Sequence, residues 1–360
     1  MLRQLARLTR PLPAAGPNAL TLAVYTDATG ELVEAKESGF EGVACVDDAA
    51  RLLDVLCDVW ERARDPAAER WARGLLDFVL WMQGDDGRWW NFVYDWAGTP
   101  NETGLTSSTG DNFWHARALL GVSRAWLTFG DDRAEVALRR GLTHPISGEA
   151  PSDVRSLHLL AALRLLDDAS FPDLRPVVRR WADEIVARRA GDVLMNNPDE
   201  RGEPHLWAHV QEGVLADAGV ALEAEALIET ARASARTLWA PIVRSGFDRP
   251  SVSPYDVSCA VYSLDRLAAA DGHGRAAAST GDDAWSELAA VARRWFDGTG
   301  DDGRPIYDKA KGRVADGIDR GRVSENSGAE ANLVAAEALI DDAVRSLPAA
   351  AALLPAPAVG

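Results

Sequence analysis

Lysine is nearly absent from this 360-residue chain, which carries only Lys36, Lys309 and Lys311. Positive charge rests on arginine, and acidic residues outnumber basic ones by 55 to 38, for a formal net charge of −17. A surface of that sign repels nucleic acid and anionic lipid, so neither nucleic acid nor membrane is expected as a partner, and a neutral or cationic ligand is favoured. Cysteine is also scarce. Cys45, Cys57 and Cys259 are odd in number and lack metal or redox spacing, which predicts reduced thiols in a cytoplasmic setting. No apolar run reaches transmembrane length, and the opening MLRQLARLTRPLPAAG is broken by Pro11 and Pro13, so it does not read as a secretory signal. Alternation long enough for a sheet strand is missing as well.

What is present is helical periodicity, repeated in pairs. Six segments are rich in apolar and small residues, with polar residues gathered at their N-terminal ends. They begin near Val46, Gly110, Pro151, His205, Ser253 and Ser327. Amphipathic segments with charged faces separate them, such as PAAERWARGLLDFVLWM and RPVVRRWADEIVARR. Asp65-Pro66 and Ser253-Pro254 each place a capping residue before a proline at the first helical position. Inner helices alternating with outer ones predict an all-α fold, a single-domain (α/α)6 toroid over residues 41–347. An N-terminal extension (1–40) packs on it, and an Ala/Pro-rich tail (348–360) follows. The inner helices then run parallel and their N-termini line one rim, where helix dipoles favour carboxylates and polar ligands.

Candidate chemistry concentrates at that rim. Asp47 and Asp48 open the first inner helix. Their proximity raises one carboxyl, as a general acid requires, while the plainer reading is helix capping with an ion pair to Arg51. Asp111 and His115 share a helical face four residues apart. Glu330 lies three residues after Ser327, which is also capping-box spacing. The loop GRWWNFVYDW (87–96) puts five aromatics into a segment too short and broken for a helix. Its Trp89, Trp90, Tyr94 and Trp96 either form a stacking wall for a ligand or plug the barrel mouth. His205, His209 and Glu212 fall on one face if helical, but no zinc signature surrounds them, so neither metal nor cofactor is expected.

The runs VDDAAR (46–51), GRWWNFVYDW, TGDNFWHARALLG (109–121), ADGI (315–318) and NSGAEANLVAAEAL (326–339) resemble a bacterial helical domain. That domain is found fused to, or encoded beside, glycosyltransferases, and belongs to the six-hairpin glycosidase-like superfamily. Gly110 stands where the family usually has Glu before Asp, and Ala331-Asn332 replaces its Ser-Thr. The resemblance implies carbohydrate chemistry on an oligosaccharide or polysaccharide, with a glycosyltransferase as a candidate partner. It implies Asp48, Asp111 and Glu330 as catalytic candidates. Asp47, Arg51, Trp89, Trp90, Asn91, Tyr94, Asp95, Trp96, His115, His209, Glu212, Tyr255, Asp308, Asp316 and Asn326 are the substrate-binding ones. The leading expectation is an inverting glycoside hydrolase using two carboxylates on neighbouring helices, Asp48 with Asp111 or with Glu330. The alternatives are a sugar epimerase or isomerase, and a non-catalytic glycan-binding partner of a glycosyltransferase.

Overall fold

The computed structural model describes residues 1–26, 32, 41–144, 146–197, 203–273, 284–298 and 305–356. Two compact units make up the chain. The first comprises Met1–Ser147, Tyr307–Asp316 and Ser324–Gly360, and the second Gly148–Ile306 and Gly317–Val323.

In the first unit, helix α1 (Leu2–Leu8) precedes the hairpin pair α2 (Val46–Ala63) and α3 (Pro66–Trp81). Next come α4 (Phe113–Phe129) and α5 (Asp132–Gly141), and from the C-terminal part α13 (Ala329–Ala338) and α14 (Ile340–Ala351). The start of α3 follows its sequence signal: Asp65 Oδ1 accepts the Ala67 N–H at 2.8 Å, and Pro66 occupies the first turn. Helix α2 is the hub, packing on α3, α4 and α13. Sequence positions one and six of the inner set are therefore neighbours. Its approach to α4 depends on Gly121, where an added Cβ would lie 2.5 Å from the Ala50 carbonyl oxygen. A short antiparallel pairing of Ala44–Cys45 with Phe92–Val93 ties the aromatic loop to the start of α2. Helix α1 packs on α13 and α14, and α14 carries Pro348 within it.

The second unit holds α6 (Ser152–Arg164), α7 (Leu174–Val186), α8 (Gln211–Ala221), α9 (Glu225–Thr237), α10 (Trp239–Arg244), α11 (Pro254–His273) and α12 (Trp285–Arg294). Here α8 is central, packing on α6, α9 and α11. Helix α11 opens on a reciprocal cap: Ser253 Oγ accepts the Asp256 N–H at 3.2 Å, and Asp256 Oδ2 accepts the Ser253 N–H at 2.8 Å.

All six apolar segments contain a buried helix, as expected. The fourth starts later than its pattern suggested, at Gln211 instead of near His205. Ala208 sits in the left-handed region (φ 57°), which a right-handed helix cannot pass through. Strands among the described residues are only two or three residues long. None of the described helices is long and apolar enough to cross a membrane.

Candidate active site

Arg51, buried on the first turns of α2, gathers carboxylates from two helices. Its Nη1 lies 3.7 Å from Asp47 Oδ1, 3.9 Å from Asp48 Oδ1 and 3.6 Å from Glu330 Oε2, and its Nε lies 3.8 Å from Glu337 Oε1. Arg117 of α4 adds a second cation, with Nε 3.9 Å from Asp47 Oδ1. Because Asp48 Oδ1 and Glu330 Oε2 share Arg51 Nη1, those two oxygens can be at most 7.5 Å apart. The N-termini of α2 and α13 thus present acids to one another, as the parallel inner helices implied.

The acids differ in environment. Asp48 is buried, and that burial is the main reason its carboxyl is pushed from 3.8 to about 7; Arg51 opposes the shift, while Asp47 and Glu330 add to it. Glu330 has a side chain 60% exposed. Loss of bulk water raises its carboxyl, with Arg51 opposing. Glu337, two helical turns further along α13, is raised for the same reason. The site therefore pairs a sheltered acid with a water-accessible one.

Several groups hold this arrangement. Cys45 caps α2, its Sγ accepting the Asp48 N–H at 3.5 Å. Asn91 is buried and fully engaged: its Oδ1 accepts the Asp47 N–H at 3.1 Å, its Nδ2 donates to Thr106 O at 2.9 Å, and its carbonyl accepts the Val46 N–H at 2.8 Å. Expected as a sugar contact, Asn91 is instead the clamp between the start of α2 and the loop after the aromatic run. Asp316 Oδ1 accepts the Gly328 N–H at 2.7 Å at the entry to α13. The capping box expected from Ser327 and Glu330 is not formed. Gly328 is the cap residue, and Ser327 Oγ accepts from Asn332 Nδ2 at 3.0 Å, which leaves Glu330 to face Arg51. Tyr25, Arg117 and Glu337 were missed in the sequence. Tyr25 feels Asp48 and Glu330, although burial is the main reason its phenol is raised to about 12. Glu337 was findable, since it sits seven residues after Glu330 on the same helical face.

Other expected residues lie elsewhere in this unit. Asp111 does not open α4: Asn112 is the cap, accepting the His115 N–H at 3.0 Å, and Asp111 Oδ2 accepts the Ser147 N–H at 2.8 Å. His115 is buried against Trp89 (ring centroids 5.4 Å), and burial, then His144 and Arg88, lowers its imidazole to about 4, so it is neutral near pH 7. The aromatic loop is divided. Trp89 is fully buried, its indole N–H donating to Val79 O at 2.8 Å, so it plugs the core and cannot line a wall. Trp90 and Trp96 are half-buried, and Tyr94 is exposed, its hydroxyl donating to Asn101 Oδ1 at 2.8 Å. Asp95 accepts from Thr99 N–H and hydroxyl, and Asp308 from the Lys311 N–H; both cap turns. Asn326 is exposed, its carbonyl accepting the Asp316 N–H.

In the second unit the helical face expected of His205, His209 and Glu212 is not formed, because both histidines precede α8. His209 and Glu212 are fully buried. Glu212 takes Ser234 Oγ at 2.6 Å and the Trp239 indole N–H at 3.0 Å, with His209 Nε2 at 3.1 Å. Burial alone would raise that carboxyl; His209 and the hydrogen bonds outweigh it and hold it low. This is a sealed structural network, closed to a ligand. Tyr255 is buried too. His205 is more open, with Nε2 3.0 Å from Asp153 Oδ2. Among the described residues no group of three or more His, Cys, Asp or Glu is placed to hold a metal ion.

No family model matches the chain, and no curated protein is significantly similar to it in sequence. Solved structures do match, along nearly all of its length. A cellobiose 2-epimerase from Bacillus thermoamylovorans is 10% identical over 95% of this chain and 96% of that one, with a TM-score of 0.69. A D-mannose isomerase is 10% identical over 96% and 95%, with a TM-score of 0.65. A GH76 α-mannanase from Bacteroides thetaiotaomicron is 12% identical over 86% and 88%, with a TM-score of 0.55. At these identities the likeness shows the fold alone, an all-α (α/α)6 toroid.

Proposed function

We propose that this protein is a carbohydrate-active enzyme that hydrolyses a glycosidic bond with Asp48 as general acid and Glu330 as general base. The observation that carries the reading is the pair itself: a sheltered carboxyl pushed to about 7 and a water-accessible one, their oxygens no more than 7.5 Å apart. Asp48, protonated near neutrality, gives its proton to the glycosidic oxygen as the C–O bond breaks. Glu330 takes a proton from the water whose oxygen attacks the anomeric carbon. Inverting enzymes hold their two carboxyls roughly 6.5–9.5 Å apart, to leave room for that water. Arg51 and Arg117 place positive charge beside Asp47, and Arg51 places it beside Glu337 as well. Trp90, Tyr94 and Trp96 offer apolar ring faces to a sugar, whose C–H groups stack on them. Fold likeness to a mannanase, an epimerase and an isomerase supports a sugar as substrate, as does the resemblance to domains found beside glycosyltransferases. The buried cysteines Cys45, Cys57 and Cys259, odd in number and far apart in sequence, support a reducing, cytoplasmic setting.

A second reading, sugar epimerisation or isomerisation, is favoured by the carboxylate-held His205 as a proton carrier. Incubation with oligosaccharides separates the two. Hydrolysis raises the count of reducing ends and epimerisation conserves it. A rise that disappears in both Asp48→Asn and Glu330→Gln supports the first reading, and a rise that persists in both overturns it.

A further inference from the structure

The chain has 13 tryptophans, and among them Trp207 alone is exposed, with 45% of its surface open. It lies in the segment between Glu203 and α8, and it is not left to swing. The His205 imidazole stacks on its indole, with centroids 4.3 Å apart and planes within 17°. His205 is in turn fixed by Asp153, a carboxylate at the start of α6 that is itself buried. Asp153 is anchored in place, its Oδ1 accepting the Val154 N–H at 2.7 Å. A buried acid thus orients an imidazole, and the imidazole orients an indole.

Holding a large apolar ring rigid in water gains nothing for folding, since burial would be the favourable state. What a flat, fixed indole does match is a pyranose, which has an apolar C–H face. We propose that Trp207 is a sugar-stacking platform, preset by Asp153 through His205. A platform fixed beforehand loses less entropy on binding than a mobile one. This site does not depend on the Asp48 and Glu330 chemistry, because stacking needs no turnover.

The test is 19F NMR of the full chain labelled with 5-fluorotryptophan, the Trp207 resonance being assigned with Trp207→Phe. Cellobiose and mannobiose are titrated to saturation. The Trp207 resonance is expected to shift with at least one of them, and Trp207→Ala to raise Kd by about tenfold or more, equivalent to about 1.4 kcal/mol. Trp207→Phe keeps most of the affinity, since a ring face remains. Asp153→Asn broadens the Trp207 resonance and raises Kd less than Trp207→Ala does. A Trp207 resonance unmoved by both sugars, or an unchanged Kd in Trp207→Ala, overturns the proposal. Asp48→Asn run in parallel keeps the two readings apart: it should leave the Trp207 shift intact whether or not turnover survives.

Discussion

Replacing Asp48 with asparagine should make the protein more stable at alkaline pH while removing its turnover. In the folded chain the Asp48 carboxyl is raised from 3.8 to about 7, chiefly by burial. The folded state therefore holds this proton more tightly than the unfolded one. Between pH 4 and 7 the folded protein binds more protons, so stability falls as pH rises through that window and levels off above it. Each pKa unit corresponds to about 1.36 kcal/mol, so the ionised Asp48 costs on the order of 4 kcal/mol at pH 8. Asparagine keeps the shape and stays neutral, and Arg51 keeps Asp47, Glu330 and Glu337 as partners. Urea unfolding of both proteins at pH 4, 6 and 8 is the assay. The mutant's advantage should be near zero at pH 4 and grow to several kcal/mol at pH 8, while glycan turnover falls about 10²–10⁴-fold. A mutant no more stable than wild type at pH 8 would refute the burial argument. Normal turnover would refute the assignment of the acid.

Glu330→Gln should lower turnover by about 10²–10⁴-fold with little change in unfolding midpoint, since the side chain is largely exposed; turnover at the wild-type rate would place the base elsewhere. Trp89→Ala should destabilise by about 3–5 kcal/mol in denaturant melts, whereas Tyr94→Ala should leave stability nearly unchanged and weaken glycan binding measured by calorimetry. Asn91→Ala strips the Asp47 N–H and the Thr106 carbonyl of their partner, so it should cost about 1–3 kcal/mol of stability and lower kcat more than it raises KM.

The helices were legible because their signals are local. Asp65-Pro66 and Ser253-Pro254 start helices where a cap and a proline say they should, and the apolar stripes of α2 and α4 mark their buried faces. The failures were matters of tertiary partner. Nothing in HLWAHVQEG shows that Ala208 turns left-handed, and the apolar pattern ran straight through that break. Ser327 and Glu330 have capping-box spacing, but Asn332 claims the hydroxyl and Arg51 the carboxylate, and both come from outside the first turn. In the aromatic loop, Trp89 and Trp90 are adjacent and chemically identical; the Val79 carbonyl, the His115 ring and Gly141, all on other elements, take Trp89 inward. Asp111 and His115 share a spacing that would serve a rim only if the helix began at Gly110, and Asn112 capped it two residues later.

Gly121 gives the mouth a control at a distance. Its missing side chain lets the Ala50 carbonyl, one turn below Asp48 and Asp47, rest against α4. A larger residue at 121 would meet the Ala50 backbone, so the contact between α2 and α4 would have to shift close to Asp47 and Asp48. Under the proposed function, the gap between the two acids is thereby tied to a residue in the helix packing.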